Sequence, residues 1–190
     1  MSIIDKVVAA VTPPESHDAR REAREKARAS AGRGDWLDMV LDHHEQIEAA
    51  FAAVRSATTG NARVAAHKQL AILLTGHSNA EEAVIYPALA GVDEKRHAMS
   101  AYAEQAAAKV QMGLLESIPP MSQDFLDKLE HIRGAVAHHV YEEESKWFLE
   151  LKKNVPSADQ VKLAKRYLEE YTQYVRGNLQ SARVIEAATV

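Results

Sequence analysis

Two stretches of the chain repeat one template. Residues 77–87 read HSNAEEAVIYP and residues 138–148 read HHVYEEESKWF. Aligning His77 with His139 pairs Glu81 with Glu143, Glu82 with Glu144 and Tyr86 with Phe148. On a helix, residues i and i+4 share a face with Cβ atoms about 6 Å apart, so a His and the Glu four residues later can aim at one target. Imidazole and carboxylate without sulfur are the donor set of iron, manganese or zinc. The chain has no cysteine, which removes disulfides, thiolate catalysis and Cys-ligated zinc or iron–sulfur sites. A bare HxxxE pattern is weak, since the nine histidines give roughly one match by chance. The extended template is far rarer, and it occurs twice.

Positioning these side chains requires helices. Strand signals are nearly absent, and Ala, Leu, Glu, Gln, Lys and Arg dominate. Asp35 is the expected N-cap of a helix over about 36–57. A second helix runs over about 62–89, a third over about 94–117 with Asp93 as its cap, and a fourth over about 123–153 capped by Ser122. The short connections predict an all-α, up-down-up-down four-helix bundle with extra N-terminal and C-terminal helices. Its boundaries are expected at 35–153, with a helical extension at 1–34 and a helix and tail at 154–190. In the extension, Ile3, Ile4, Val7, Val8 and Val11 form one apolar face, followed by a mixed-charge helix that ends near Gly32 and Gly34. The C-terminal helix is expected to start with a Ser157/Gln160 capping box, to bury Val161, Ala164, Leu168, Tyr171 and Val175, and to stop at Gly177 before a loose tail.

The inward stripes turn polar at one level. Leu37, Val40, His44, Ile47, Phe51 and Val54 form a packing seam with His44 in its middle. Ala66, Leu70, Leu73, His77 and Val84 do the same on the second helix, with Glu81 one turn after the histidine, and Phe125, Leu129, Ile132, Val136, His139 and Glu143 on the fourth. A carboxylate buried alone is expensive. Converging buried imidazoles and carboxylates are most simply reconciled by a cation. At about 1.5 Å rise per residue, Glu104 of the third helix reaches that level, and His97 sits about 10 Å nearer the preceding turn. Tyr86, Tyr102, Tyr141 and Trp147 near the motifs are read as packing.

The segments LDHHEQIEAAF, HSNAEEAVIYPAL and HHVYEEESKWF, over about 36–152, resemble the hemerythrin-like HHE cation-binding domain. That resemblance implies a bundle holding two non-haem irons, bridged by carboxylates and often by an oxygen atom. Carried over, His77, Glu81, His139 and Glu143 are ligands, together with His44 or His43, and Glu48 is an extra carboxylate. The third helix departs from the family: Glu104-Gln105 stands where a Glu-His pair is common. Glu104 or His97 then completes the site, or one iron position is weak.

The remaining features bound the function. Net charge is −4, so no nucleic-acid or anionic-membrane surface is expected. No apolar run approaches the ~18 residues that span a bilayer, and MSIIDKVVAAV is too short for a secretory signal; a cytoplasmic protein is expected. No phosphate loop, Ser/His/Asp constellation or nucleotide motif is present. The expectation is a diiron-type protein that binds, senses or reduces O2, NO or peroxide, with zinc or manganese as alternative metals. The competing expectation is a regulatory or stress-response bundle with one structural ion, contacting a protein partner through its terminal helices.

Overall fold

Four of the helices begin where a side chain takes over a free N–H group of the first turn. The computed structural model describes residues 15–92 and 95–188, with side chains over 15–92 and 96–178. The Ile3–Val11 stripe and the Asp93 cap lie outside the described residues. Helix α1 spans His17–Ser30, capped by Ser16, and α2 spans Trp36–Ser56, capped by Asp35. Helix α3 (Gly60–Ala80) is capped by Thr59. It passes through a π turn (Glu81–Ile85) into α4 (Tyr86–Gly91). Helix α5 covers Lys95–Leu115 and α6 covers Gln123–Glu142, capped by Ser122. A second π turn (Glu143–Trp147) leads into α7 (Phe148–Asn154), and α8 covers Ser157–Ala188. Among the described residues there is no strand. No helix is long and apolar enough to cross a membrane.

The core comes in two parts. Trp36, Leu37 and Val40 from the start of α2 pack with Val84, Tyr86, Leu89, Ala98, Phe148 and Leu151. Ile47, Phe51 and Val54 from its other end pack with Leu70, Met112, Leu115, Phe125 and Leu129. The first cluster joins the start of α2 to the far end of α3–α4, the start of α5 and α7. That is the alternating direction of an up-down-up-down bundle. Between the two clusters lies a buried layer of His44, His77, Glu81, Gln105, His139 and Glu143.

The terminal helices are integral to the packing. Ala23 and Ala27 are buried, so α1 lies close on the bundle. Its charges pair across to α2: Arg28 reaches Asp38, Asp42 and Glu45 at 2.8–2.9 Å. Exposed pairs of this kind each contribute less than about 1 kcal/mol, so the two alanines and the pairs together must seat the helix. Helix α8 lies against α2 and α3. It meets α3 at Gly76, where an added Cβ would stand 2.7 Å from Val175 Cγ2.

Several expectations about α8 are corrected. Val161 and Leu168 are exposed and Tyr167 is buried in their place, while Val175 is buried as expected. The inward face is rotated toward α3, where the aromatic rings find room over Gly76. Ser157 is the first helical residue rather than a cap. Gln160 instead donates to the carbonyls of Lys152 (2.9 Å) and Val155 (3.0 Å), satisfying the end of α7. The helix continues through Gly177 and the expected tail to Ala188.

At the opposite end, the buried Arg63 donates to the carbonyls of Val54, Arg55, Ala57 and Pro120 at 2.7–3.3 Å. It closes the C-terminus of α2 onto the loop before α6. Arg63→Met should destabilise the chain by about 2–4 kcal/mol, because buried carbonyls lose their donor. A shift of the urea midpoint at constant slope would show it, and a shift equivalent to under about 0.5 kcal/mol would mean water replaces the guanidinium.

Candidate metal centre

Helix α2 delivers His44, α3 delivers His77, and α6 delivers His139. Both π turns begin at the glutamates of the repeated template, Glu81 and Glu143. In each, a backbone bond closes five residues back, from Tyr86 N–H to the Glu81 carbonyl and from Phe148 N–H to the Glu143 carbonyl. The wider turn carries the aromatic over its own glutamate. Tyr86 thereby returns its hydroxyl to the polar layer, and the Phe148 ring lies 6.3 Å from that of His44, nearly parallel to it. Such π turns within α-helices occur frequently at functional sites.

Four side chains offer ligand atoms within 4.8 Å of one another: His44, His77, Glu81 and Glu143. His44 Nε2 lies 3.3 Å from Glu143 Oε2 and 3.9 Å from Glu81 Oε1, and His77 Nε2 lies 3.1 Å from Glu81 Oε2. His44 Nε2, Glu81 Oε1 and Glu143 Oε2 are buried without a hydrogen-bond partner. Buried polar atoms are nearly always satisfied, so three orphans sharing one spot fit a cation held between them. On the other side, His139 Nε2 stands 3.2 Å from Glu143 Oε1. The Tyr86 hydroxyl lies 2.8 Å from Glu143 Oε1, 3.0 Å from His139 Nε2 and 3.2 Å from Glu81 Oε2.

The outer nitrogen of each histidine is held. His44 Nδ1 is 2.8 Å from Glu144 Oε1, His77 Nδ1 is 3.0 Å from Tyr167 Oη, and His139 Nδ1 is 2.7 Å from Glu104 Oε2. All three rings therefore turn Nε2 inward, the arrangement in which an outer partner fixes the tautomer of a ligand.

The electrostatics are those of a crowded acid–base cluster. Burial opposes charge on His44, but Glu143 and Glu144 outweigh it and lift the imidazole to about 9. Burial also opposes charge on His139, which the Glu143 charge and the Glu104 hydrogen bond hold well above its ordinary range. Burial and then the Glu143 charge raise Glu81 to about 8. Glu143 is lowered despite its burial, chiefly by His139. His77 is driven well below its ordinary value by burial and the His44 charge, and His43 falls to about 4 for the same reasons.

A pH dependence follows for chelator-treated protein. Groups raised on folding stabilise fully below their unfolded pKa and lose that contribution as pH rises to the folded one. For Glu81 this window runs from 4.5 to about 8, and for His44 from 6.5 to about 9. His43 and His77, being lowered, add no slope above 6.5. The melting temperature of metal-free protein should therefore fall steadily between pH 6.5 and 9. Metal-loaded protein should be flatter, because metal binding has already displaced those protons. Parallel calorimetric scans of both forms would check this, and equal slopes would remove the cluster as the cause.

Several expected positions differ in place. Of the two histidines left open on α2, His44 enters the cluster. His43 stacks on Tyr171, with ring centroids 3.7 Å apart. Glu104 stands behind His139 rather than in the cluster, and the buried Gln105 points inward, donating to Glu81 Oε2 at 2.5 Å. The inward line of α5 is Ala98, Ala101, Gln105 and Met112, one residue round from the His97–Glu104 stripe. His97 stacks on Trp147 with centroids 5.5 Å apart. Leu74 is buried beside the expected Leu73, which is only partly covered. Glu48 is taken up by Arg24. Tyr86 belongs to the cluster and not to packing alone; its place in the repeated template was the available signal. Tyr167 and Arg24 carried no such signal.

The hemerythrin HHE cation binding domain model matches residues 36–151, more than half of the chain. A solved structure of a hemerythrin HHE cation binding domain-containing protein from Mycobacterium kansasii superposes with a TM-score of 0.68 at 22% identity. It covers 78% of this chain and 92% of that one, a likeness of fold. A DNA nickase from Nostoc sp. is 31% identical over 84 residues, which are 44% of this chain and 24% of the nickase.

Proposed function

We propose, for a chain that belongs to the hemerythrin HHE cation-binding family, a non-haem iron centre in the bundle core that binds or reduces a small oxidant, O2, NO or peroxide. The observation that carries this reading is the convergence of His44, His77, Glu81 and Glu143 within 4.8 Å, with three of their buried atoms unpartnered. The donors are nitrogen and carboxylate oxygen without sulfur, which suits iron or manganese better than a structural zinc. The nickase aligns over 24% of its own length, and DNA nicking is not carried to this chain.

In this reading His44, His77, Glu81 and Glu143 would hold an ion. His139, 3.2 Å from Glu143 Oε1, would be the donor for a further one. Bound iron would supply the redox couple and an open coordination position. The protein supplies the surroundings. Two apolar clusters, above and below the layer, exclude water and any large substrate. Tyr86 brings a phenolic proton to the cluster, 2.8 Å from Glu143 Oε1. In the metal-free chain, burial and the Glu143 charge hold that phenol well above its ordinary pKa.

Gln105 favours a second reading, a single ion without catalysis. Its amide occupies the α5 position where a further imidazole would stand, and an amide is a poor substitute for one. Metal analysis of protein made with added iron, with spectra in air and without oxygen, separates the two. Two irons per chain with a near-ultraviolet absorption that responds to O2, NO or peroxide support the diiron reading. One ion, colourless and unresponsive, supports the second.

A further inference from the structure

We propose that the helices flanking the family-matched segment are working parts of the metal centre. Tyr167 of α8 positions His77, and Arg24 of α1 positions His44 through Glu144. This rests on the metal-centre reading above and deepens it, because neither residue lies within the 36–151 match.

The α8 side follows from a count of protons. Tyr167 is fully buried, and its hydroxyl lies between two imidazole nitrogens, His77 Nδ1 at 3.0 Å and His43 Nδ1 at 2.8 Å. The hydroxyl has one proton to give. A histidine that binds metal through Nε2 carries its proton on Nδ1. The consistent chain is therefore His77 Nδ1–H donating to Tyr167, and Tyr167 O–H donating to His43. His43 accepts in its neutral form and is held in place by its stack on Tyr171. The close approach at Gly76, one residue before His77, seats α8 over this turn.

The α1 side has the same logic with charge. Glu144 is 1% exposed, and its Oε1 faces His44 Nδ1 at 2.8 Å. Arg24 Nε donates to both Glu144 oxygens, at 3.0 and 3.2 Å, and its two terminal nitrogens grip Glu48 at 3.0 and 3.2 Å. Arg24 thus orients a buried carboxylate that in turn orients His44. His139 takes its outer partner, Glu104, from within the bundle, as His44 takes Glu144, but Glu144 is in turn held by Arg24 of α1. Undocking either terminal helix would release one ligand ring without touching a ligand.

The test is Tyr167→Phe in the full chain, which removes one oxygen and keeps the ring that packs α8. Iron(II) affinity, measured by chelator competition, should fall by about 10–100-fold. In metal-free protein, long-range nitrogen–proton NMR of His77 should show a shift in the balance of its Nδ1–H and Nε2–H tautomers. Tyr174→Phe on the same helix is the control and should leave both unchanged. Arg24→Met should weaken iron(II) by a similar factor and move the His44 signals, not those of His77. Should Tyr167→Phe retain affinity within about twofold of a parent that does bind iron, well short of the outer-partner range, with His77 unaltered, the proposal fails and the metal centre stands. A parent that binds no iron(II) sinks the metal-centre reading and the proposal with it.

Discussion

His77→Ala, loaded under conditions that saturate the parent chain, is expected to retain less than about a tenth of the parent's iron, a larger loss than outer partners produce. His77 Nε2 lies 3.1 Å from Glu81 Oε2, and both side chains are buried. The variant loses a donor that nothing nearby can replace. It also loses stability, from two sources. A buried ring becomes a cavity, costing about 2–5 kcal/mol by analogy with other large-to-small changes. The stabilisation that bound metal confers, about 4 kcal/mol at a thousandfold excess over Kd, disappears. Melting with and without a chelator separates these parts: the parent should shift on chelation and the variant should not. Undiminished iron in His77→Ala would remove this residue from the centre. His97→Ala is the companion measurement. Its ring stacks on Trp147 and is not among the four side chains that converge, so the metal stoichiometry should be unchanged, and loss of half the metal would return His97 to the site.

The two core glutamates should respond unequally when metal is absent. Both Glu81→Gln and Glu143→Gln should lose iron, since each removes an anionic donor. In chelator-treated protein at pH 7, Glu143→Gln should cost about 3–5 kcal/mol, as breaking a buried ion pair does. Glu143 faces His44 at 3.3 Å and His139 at 3.2 Å, and both are raised above their ordinary range and carry protons there. Without the carboxylate those charges are buried uncompensated. Glu81 is raised to about 8 and is already neutral at pH 7. Its replacement by an isosteric amide should change stability by no more than about 1 kcal/mol and should lessen the decline toward pH 9. Denaturant titrations of both variants decide the matter. A larger loss in Glu81→Gln than in Glu143→Gln would reverse the assignment of charge within the cluster.

The division between sequence and tertiary structure follows from the range of the forces. Caps such as Asp35 and Ser122 act within one helical turn, and both were legible. The seam of α2 and the i,i+4 pairs His77/Glu81 and His139/Glu143 are equally local: helix geometry alone puts each pair on one face. Those pairs, with the repeated template and the absence of cysteine, sufficed to read an all-helical bundle with an imidazole–carboxylate layer.

Where a helix lacks contrast between its faces, local reasoning lost the rotation. Helix α5 is alanine-rich on every side, so no apolar stripe told whether Glu104 or Gln105 faced inward, and one residue is about 100° of turn. Packing of Ala98, Ala101 and Met112 decided for Gln105. The same weakness misplaced Val161 and Leu168 on α8, whose inward face is set by the gap over Gly76 on another helix. Tyr86 reached the cluster because a π turn shifted it, and the geometry of a π turn is not written in helical periodicity. Tyr167 holds the His77 ring 90 residues away along the chain, and Arg24 holds Glu144, the partner of the His44 ring, 120 residues away. Contacts of that range leave no spacing to read. The His77/Glu81 and His139/Glu143 pairs of the buried layer were determined by the sequence, and the outer partners of its histidines only by the way the helices close on one another.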